Sequence, residues 1–325
     1  MGIATQMGAI VIGRAVCALS LALLASGAQA RTYALITAGL GGEAEYEKKF
    51  AQQAEALAGA MTHLDPDGSV TLLTGTRASA AAMQRELAAI AERATAGDRL
   101  IVMLIGHGSF DGEEYRFNLP GPDVTASELA NWLDRIAARE QLTVLTSSAS
   151  GGAAPRLQGG ANRRIVVAAT KSGVERNATR FAEFWTRALT TSEADVDKDE
   201  WVTVREAFDY AQRKVADDYK AQAALATEHA RLSEGDSRAL QAPLARLGAA
   251  KSMPTDPQLR ELIAERLRLE RAVDAVKARK SELGDERYYD ELEKALVSLA
   301  RMQMRIDARQ AQLDGVVKDG GRVRS

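Results

Sequence analysis

Arg99-Leu-Ile-Val-Met-Leu-Ile-Gly-His-Gly-Ser-Phe-Asp-Gly112 decides the fold. Its apolar residues run from Leu100 to Ile105 without alternation, and glycines flank the histidine that ends the run. A strand with one wet face alternates apolar and polar residues, so an unbroken run points to a strand covered on both faces, as in a parallel sheet. Leu142-Thr-Val-Leu-Thr-Ser-Ser-Ala-Ser-Gly-Gly152 repeats the form, a short apolar strand that ends in small residues. Thr32–Ala38, Ser69–Thr74 and Arg164–Ala169 are three further strands of this type. Helical patterns lie between or after them at Glu43–Met61, Ser79–Ala94, Ser127–Ala138 and Arg176–Thr190, and a long helix follows Val202. Strands alternating with helices predict an α/β fold with a mostly parallel sheet and helices on both faces. In such sheets ligands bind beyond the carboxyl ends of the strands, where His107 and Ser148 fall.

The 325 residues are 46% hydrophobic, enough for one sizeable core and an appendage. A net charge of −2 with no basic patch argues against nucleic acid as a partner. Residues 1–30 have the form of a signal peptide, with Arg14, an apolar stretch from Ala15 to Ala25 and a small-x-small site at Ala28-Gln29-Ala30. An exported protein, periplasmic or secreted, is expected, beginning at Arg31 and with no membrane span after signal removal. The single cysteine, Cys17, lies inside that signal, so the mature chain has neither disulfide nor thiol nucleophile.

Residues 31–236 form the expected main domain, and polar residues 237–254 a linker. Asp256-Pro257 then starts a helix with an N-cap and a proline at its first position. Leu262, Leu269, Val276 and Leu283 recur every seven residues, as do Leu292, Leu299, Ile306 and Leu313 after a break at Gly284-Asp285. Tyr288, Ala295 and Met302 add the other seam position, so 255–315 is expected to be a coiled-coil-like helical hairpin. Such a hairpin either packs back on the main domain or mediates self-association. Residues 316–325 read as a Gly- and charge-rich tail expected to be disordered.

The region from Thr32 to about Asp236 resembles bacterial caspase- and legumain-like domains in five places. These are the strand end Thr37-Ala-Gly39, His107-Gly108, the loop from Asp111-Gly112 to Leu119-Pro-Gly-Pro-Asp123, the strand end Ser147-Ser-Ala-Ser-Gly151, and Ala168-Ala-Thr170. The resemblance implies a three-layer αβα sandwich. It also puts His107 at the base position, Ser148 at the nucleophile position, and the N–H groups of Gly108 and Ser148 at the oxyanion hole. Two departures stand out. Ser148 replaces the family's cysteine, and Leu40-Gly41-Gly42 stands where legumains carry an asparagine. A serine hydroxyl is scarcely ionised at neutral pH and needs a base oriented by a third group, and no such group is evident in the sequence. The expectation is a peptidase homologue without catalysis, acting by binding peptide or protein. Two alternatives stay open: a serine-type hydrolase using Ser148 and His107, and a structural or assembly factor working through the hairpin. A variant of the first draws on a degenerate nucleophile elbow at Ser150 with His229 as base.

Asp195-Val-Asp-Lys-Asp-Glu-Trp-Val-Thr-Val-Arg-Glu206 has the spacing of an EF-hand loop. Asp195, Asp197, Asp199 and Glu206 stand at positions one, three, five and twelve, the Trp201 carbonyl at seven and Thr203 at nine. Glu200 occupies position six, where glycine usually makes the turn. A non-glycine residue there costs on the order of 1 kcal/mol, so weak calcium binding is the expectation, and a plain acidic helix start the alternative. No cofactor is required by any of these readings. Gly39-Leu-Gly-Gly-Glu-Ala44 fits a dinucleotide fingerprint, but Glu43 would repel a pyrophosphate and no acid follows the second strand to take a ribose.

Overall fold

A computed structural model describes residues 30–159, 164–233, 242–247 and 256–320. The signal segment 1–29, the tail 321–325 and most of the expected linker lie outside the described residues. Up to the sheet's centre the chain runs β1 (Thr32–Ala38), α1 (Ala44–Leu64), β2 (Ser69–Leu73), α2 (Ala80–Arg93) and β3 (Arg99–Ile105). Three short strands follow, β4 (Gly108–Phe110), β5 (Tyr115–Phe117) and β6 (Val124–Thr125), then α3 (Ala126–Leu133) and β7 (Glu140–Leu145). The second half comprises α4 (Ala154–Gln158), β8 (Ile165–Ala168), α5 (Phe181–Thr190), β9 (Trp201–Thr203), α6 (Val204–Ala221), β10 (Arg231–Leu232) and β11 (Pro243–Arg246).

The main sheet has the order β2-β1-β3-β7-β8-β10, parallel except for β10. Every residue of β3 is buried, as its unbroken apolar run requires. Alternate residues serve two cores. Ile36, Ile101, Met103 and Val144 pack with residues of α1, α5 and α6. Leu35, Val102, Leu104 and Leu145 pack with residues of α2, α3 and α4. The result is a mostly parallel sheet between two helical layers. The order reverses at β1, but beyond β1 and β3 the chain closes on itself, Gly39 N donating to Ile105 O and Leu40 N to Asn118 O.

Five strands fall where the sequence puts them, within two residues at each end. The β4–β5–β6 sheet was not anticipated, because strands of two or three residues are too short to show a period. Pro243–Arg246, within the stretch read as linker, pairs antiparallel with β9. Its Leu244 and Ala245 are buried, which ties down a segment whose composition reads as loop.

Beyond this unit lie α7 (Pro257–Ala278), α8 (Lys280–Leu283) and α9 (Asp285–Gly320). Asp256 caps α7 by accepting from Leu259 N at 2.7 Å and binds Arg309 of α9 at 2.6 Å. Leu259 and Leu262 of α7 cluster with Met302 and Ile306 of α9, and Gly284 takes φ +71° at the corner. α9 runs through residues 316–320, which the sequence reading gave to the tail. Among the described residues no helix is long and apolar enough to cross a membrane.

Arg164 joins the amino edge of the sheet to α3. Its side chain is fully buried; it donates to Gln141 Oε1 and to Leu157 O, both at 2.8 Å, and pairs with Asp134. Gln141 in turn donates to the Leu133, Ile136 and Ala138 carbonyls at 3.0–3.2 Å. Gln141 thus satisfies carbonyls at and just after the end of α3, and Arg164 one in α4. Arg164→Ala would leave Leu157 O, Gln141 Oε1 and the Asp134 carboxylate without this partner, and chemical denaturation should show a loss of about 3 kcal/mol. Arg164→Lys should recover less than half, since one ammonium nitrogen cannot reach partners that three separate guanidinium nitrogens serve.

Candidate functional site

The β3–β7 register builds the site. Leu104 lies opposite Leu145, and His107 and Ser148 each follow three residues later, so continued parallel pairing sets them side by side. His107 faces α1. There the His107 ring is wedged edge-on between Tyr46 (4.9 Å between centroids) and Phe50 (5.1 Å), four residues apart on α1. Its backbone carbonyl accepts from Asn118 N at 3.1 Å. Among the described residues no hydrogen bond joins the His107 ring to Ser148 or to a carboxylate.

Ser148 is instead bound to the backbone beside the histidine. Its hydroxyl donates to Gly108 O at 3.0 Å and lies 3.3 Å from Gly108 N, which donates to it. The N–H that the sequence assigns to an oxyanion is thus engaged within the chain. Gly108 must lack a side chain here, since a β-carbon would lie 2.6 Å from Tyr115 Oη and 2.9 Å from Ser148 O. One residue earlier, Ser147 Oγ meets Tyr115 Oη at 2.5 Å. Burial pushes the Tyr115 phenol far above its ordinary range, so it stays protonated.

Ala149, fully buried, takes φ 57° and ψ 7°, a left-handed conformation that costs a non-glycine residue on the order of 1 kcal/mol. It is held there by a hydrogen bond from its N–H to Glu175 O at 2.7 Å. Thr170 N donates to Ser150 Oγ at 3.2 Å, and Gly151 N to Thr170 Oγ1 at 2.8 Å. The Ser147–Gly152 turn is therefore fixed from the end of β8. Strain held in this way by its surroundings is common at functional sites.

Sequence reasoning missed several neighbours. Tyr46 and Phe50 look like ordinary core residues of an amphipathic helix. Glu175 is distant in sequence from His229 but accepts its Nδ1 at 2.6 Å and its N–H at 3.0 Å. Burial opposes the charge on Glu175, but the bonds from His229 and from Lys171 N win and hold its carboxyl below the ordinary range. The histidine with an orienting carboxylate is thus His229, not His107. His229 lies across β8 from Ser148, opposite the strand end that carries Thr170.

The 195–206 loop brings together Asp195, Asp197 and Asp199, with ligand oxygens within 4.8 Å of one another. Glu200, at the glycine position, adopts φ 69°, and Lys198 φ 59°. Glu200 N donates to Asp195 Oδ2 at 3.2 Å and Trp201 N to Asp199 Oδ1 at 2.8 Å. β9 begins at Trp201, and Thr203 caps α6 in a capping box with Glu206. Glu206 therefore spends both oxygens on the chain, Oε2 on Thr203 and Oε1 on Val196 N. Asp195 Oδ1 is buried without a hydrogen-bond partner, an acceptor that a hard cation would satisfy. Asp195, Asp197 and Asp199 are thus grouped as calcium ligands would be, while Glu206 is held by Thr203 and Val196.

No family model matches this chain, and no curated protein matches it. Among solved structures, the crystal structure of protein GSU0716 from Geobacter sulfurreducens is similar at 13% identity and a TM-score of 0.46. The match covers 67% of this chain and 99% of that one.

Burial raises the Asp199 carboxyl above its ordinary value, aided by the charges of Asp197, Asp195 and Glu206 against the Trp201 N–H. A carboxyl raised on folding favours the folded state below its ordinary range and loses that contribution as pH rises through its folded value. Asp199→Asn should therefore raise the melting temperature at neutral pH in calcium-free buffer, with the gain shrinking as pH falls through the carboxylate range. It should also remove any rise that millimolar calcium gives the parent. Scanning calorimetry with and without calcium reads both effects, and an undiminished calcium response in the variant would leave a plain acidic loop.

Proposed function

We propose that this chain is an exported caspase/legumain-like protein that binds an extended peptide or protein segment at the carboxyl edge of its sheet without cleaving it. One observation carries the proposal. The Ser148 hydroxyl is spent on Gly108 O and N, while the His107 ring is clamped between Tyr46 and Phe50. A serine nucleophile needs its proton directed at a base, and the base needs an orienting group. Neither arrangement is present in the resting geometry. The strand order, the single antiparallel edge strand and the adjacency of the two strand ends support the family likeness that the motifs suggest.

A second ligand is favoured by the orphaned Asp195 Oδ1 and by the two left-handed residues of its loop. Calcium bound by Asp195, Asp197, Asp199, the Trp201 carbonyl, Thr203 and Glu206 would be structural. The loop leads through β9 into α6. Extracellular sites of this kind work in the roughly 0.1–1 mM range.

The unmodified protein should resist labelling of Ser148 by a fluorophosphonate, and thiol alkylators should leave every property of the mature chain unchanged. Ser148→Cys supplies the missing nucleophile. Peptidase activity gained in that variant and lost again with His107→Ala marks a disarmed protease scaffold. Robust hydrolysis by the parent, abolished in Ser148→Ala, would establish a serine enzyme and overturn the proposal.

A further inference from the structure

The crevice beyond β7 and β8 is already crossed by the chain itself. β4 leaves His107, and its first residue, Gly108, is the one bound to Ser148. Two residues on, the Phe110 ring rests on Gly152, of the turn after β7, and Gly173, of the loop after β8. A β-carbon at Gly152 would lie 2.7 Å from Phe110 Cδ2, and one at Gly173 would overlap the ring outright. Neither glycine has a positive φ, so the conformation does not call for glycine at either place. What calls for it is the aromatic ring. Arg176 Nη2 donates to Phe110 O at 3.3 Å and holds the strand's end over the same loop. Phe110 is only partly buried.

From this we infer that Gly152 and Gly173 form a subsite for an aromatic side chain, filled in cis by Phe110, and that the partner is an extended peptide presenting Phe or Tyr. The inference rests on the peptide-binding reading above and adds its ligand class and its control. β4 is the resident strand, and an incoming segment competes with it for the cradle. Lys171 N, Ser172 O and Glu175 O are used within the chain, so the backbone of Gly173 and Val174 is what would pair an extended ligand, while the cradle selects its side chain. An aromatic ring seated against two α-carbons gains close contact on a flat floor, which a branched aliphatic residue fills poorly.

The experiment uses the full mature chain and a fluorescent pentapeptide, acetyl-Gly-Ser-Phe-Asp-Gly, which copies residues 108–112, with an alanine-for-phenylalanine peptide as control. Anisotropy should show Phe110→Ala binding the Phe peptide at least tenfold more tightly than the parent does, and more tightly than it binds the control. Adding Gly173→Ala to Phe110→Ala puts a methyl group where the ring sat and should return binding to the parent level. Hydrogen exchange gives a reading without ligand: Phe110→Ala should exchange faster across 108–117 and 171–175 while the β3 core stays protected. Equal affinity of the parent and Phe110→Ala, or equal affinity for both peptides, would overturn the cradle. A randomised extended-peptide mixture separates the two levels. Binding of the mixture without any aromatic preference keeps the groove and removes the cradle, whereas binding by neither protein removes the groove and the cradle together.

Discussion

The parallel pairing of β3 with β7 is the constraint on which this structure depends. Both strands are buried on both faces, so slipping either one by a residue would turn every apolar side chain into the wrong layer. That fixed register is also what sets His107 beside Ser148. The packing that stabilises the core thus sets the two residues side by side, and bonds to Thr170 and Glu175 fix the serine turn. The glycines of the two strand ends then let β4, the serine turn and the loop after β8 approach within van der Waals contact.

Two features of that edge point in opposite directions. The left-handed Ala149 and the closely packed Gly108 are the kind of over-determined backbone that active sites retain. Yet the Ser148 hydroxyl is bonded to backbone, and His107 is packed by aromatic rings rather than oriented by a carboxylate. The proposed binding function rests on this combination of tight backbone geometry and diverted hydrogen bonds.

The central sheet was legible because unbroken apolar runs ending in glycine or serine leave few choices, as β1 and β3 show. The placement of His107 beside Ser148 follows from two strand ends of the same form. The small β4–β5–β6 sheet and the strand at Pro243–Arg246 were not legible, since a few residues carry no period and their pairing partners are tertiary. The acidic loop was readable as a ligand pattern, but its resting state was not: Glu206 is a capping residue first, which the spacing alone does not reveal. Glu175 and His229, and the seat of Phe110, depend on loops brought together only by the fold.

The central claim is that Ser148 and His107 are neighbours without being a dyad. Nitrogen-15 NMR of the imidazole rings at fixed neutral pH tests it directly, comparing the parent with Ser148→Ala. If the serine hydroxyl serves Gly108, as the geometry requires, the His107 ring-nitrogen shifts stay the same in both proteins. A clear displacement of the His107 ring-nitrogen shifts on losing that hydroxyl would show a working serine–histidine hydrogen bond and contradict the account.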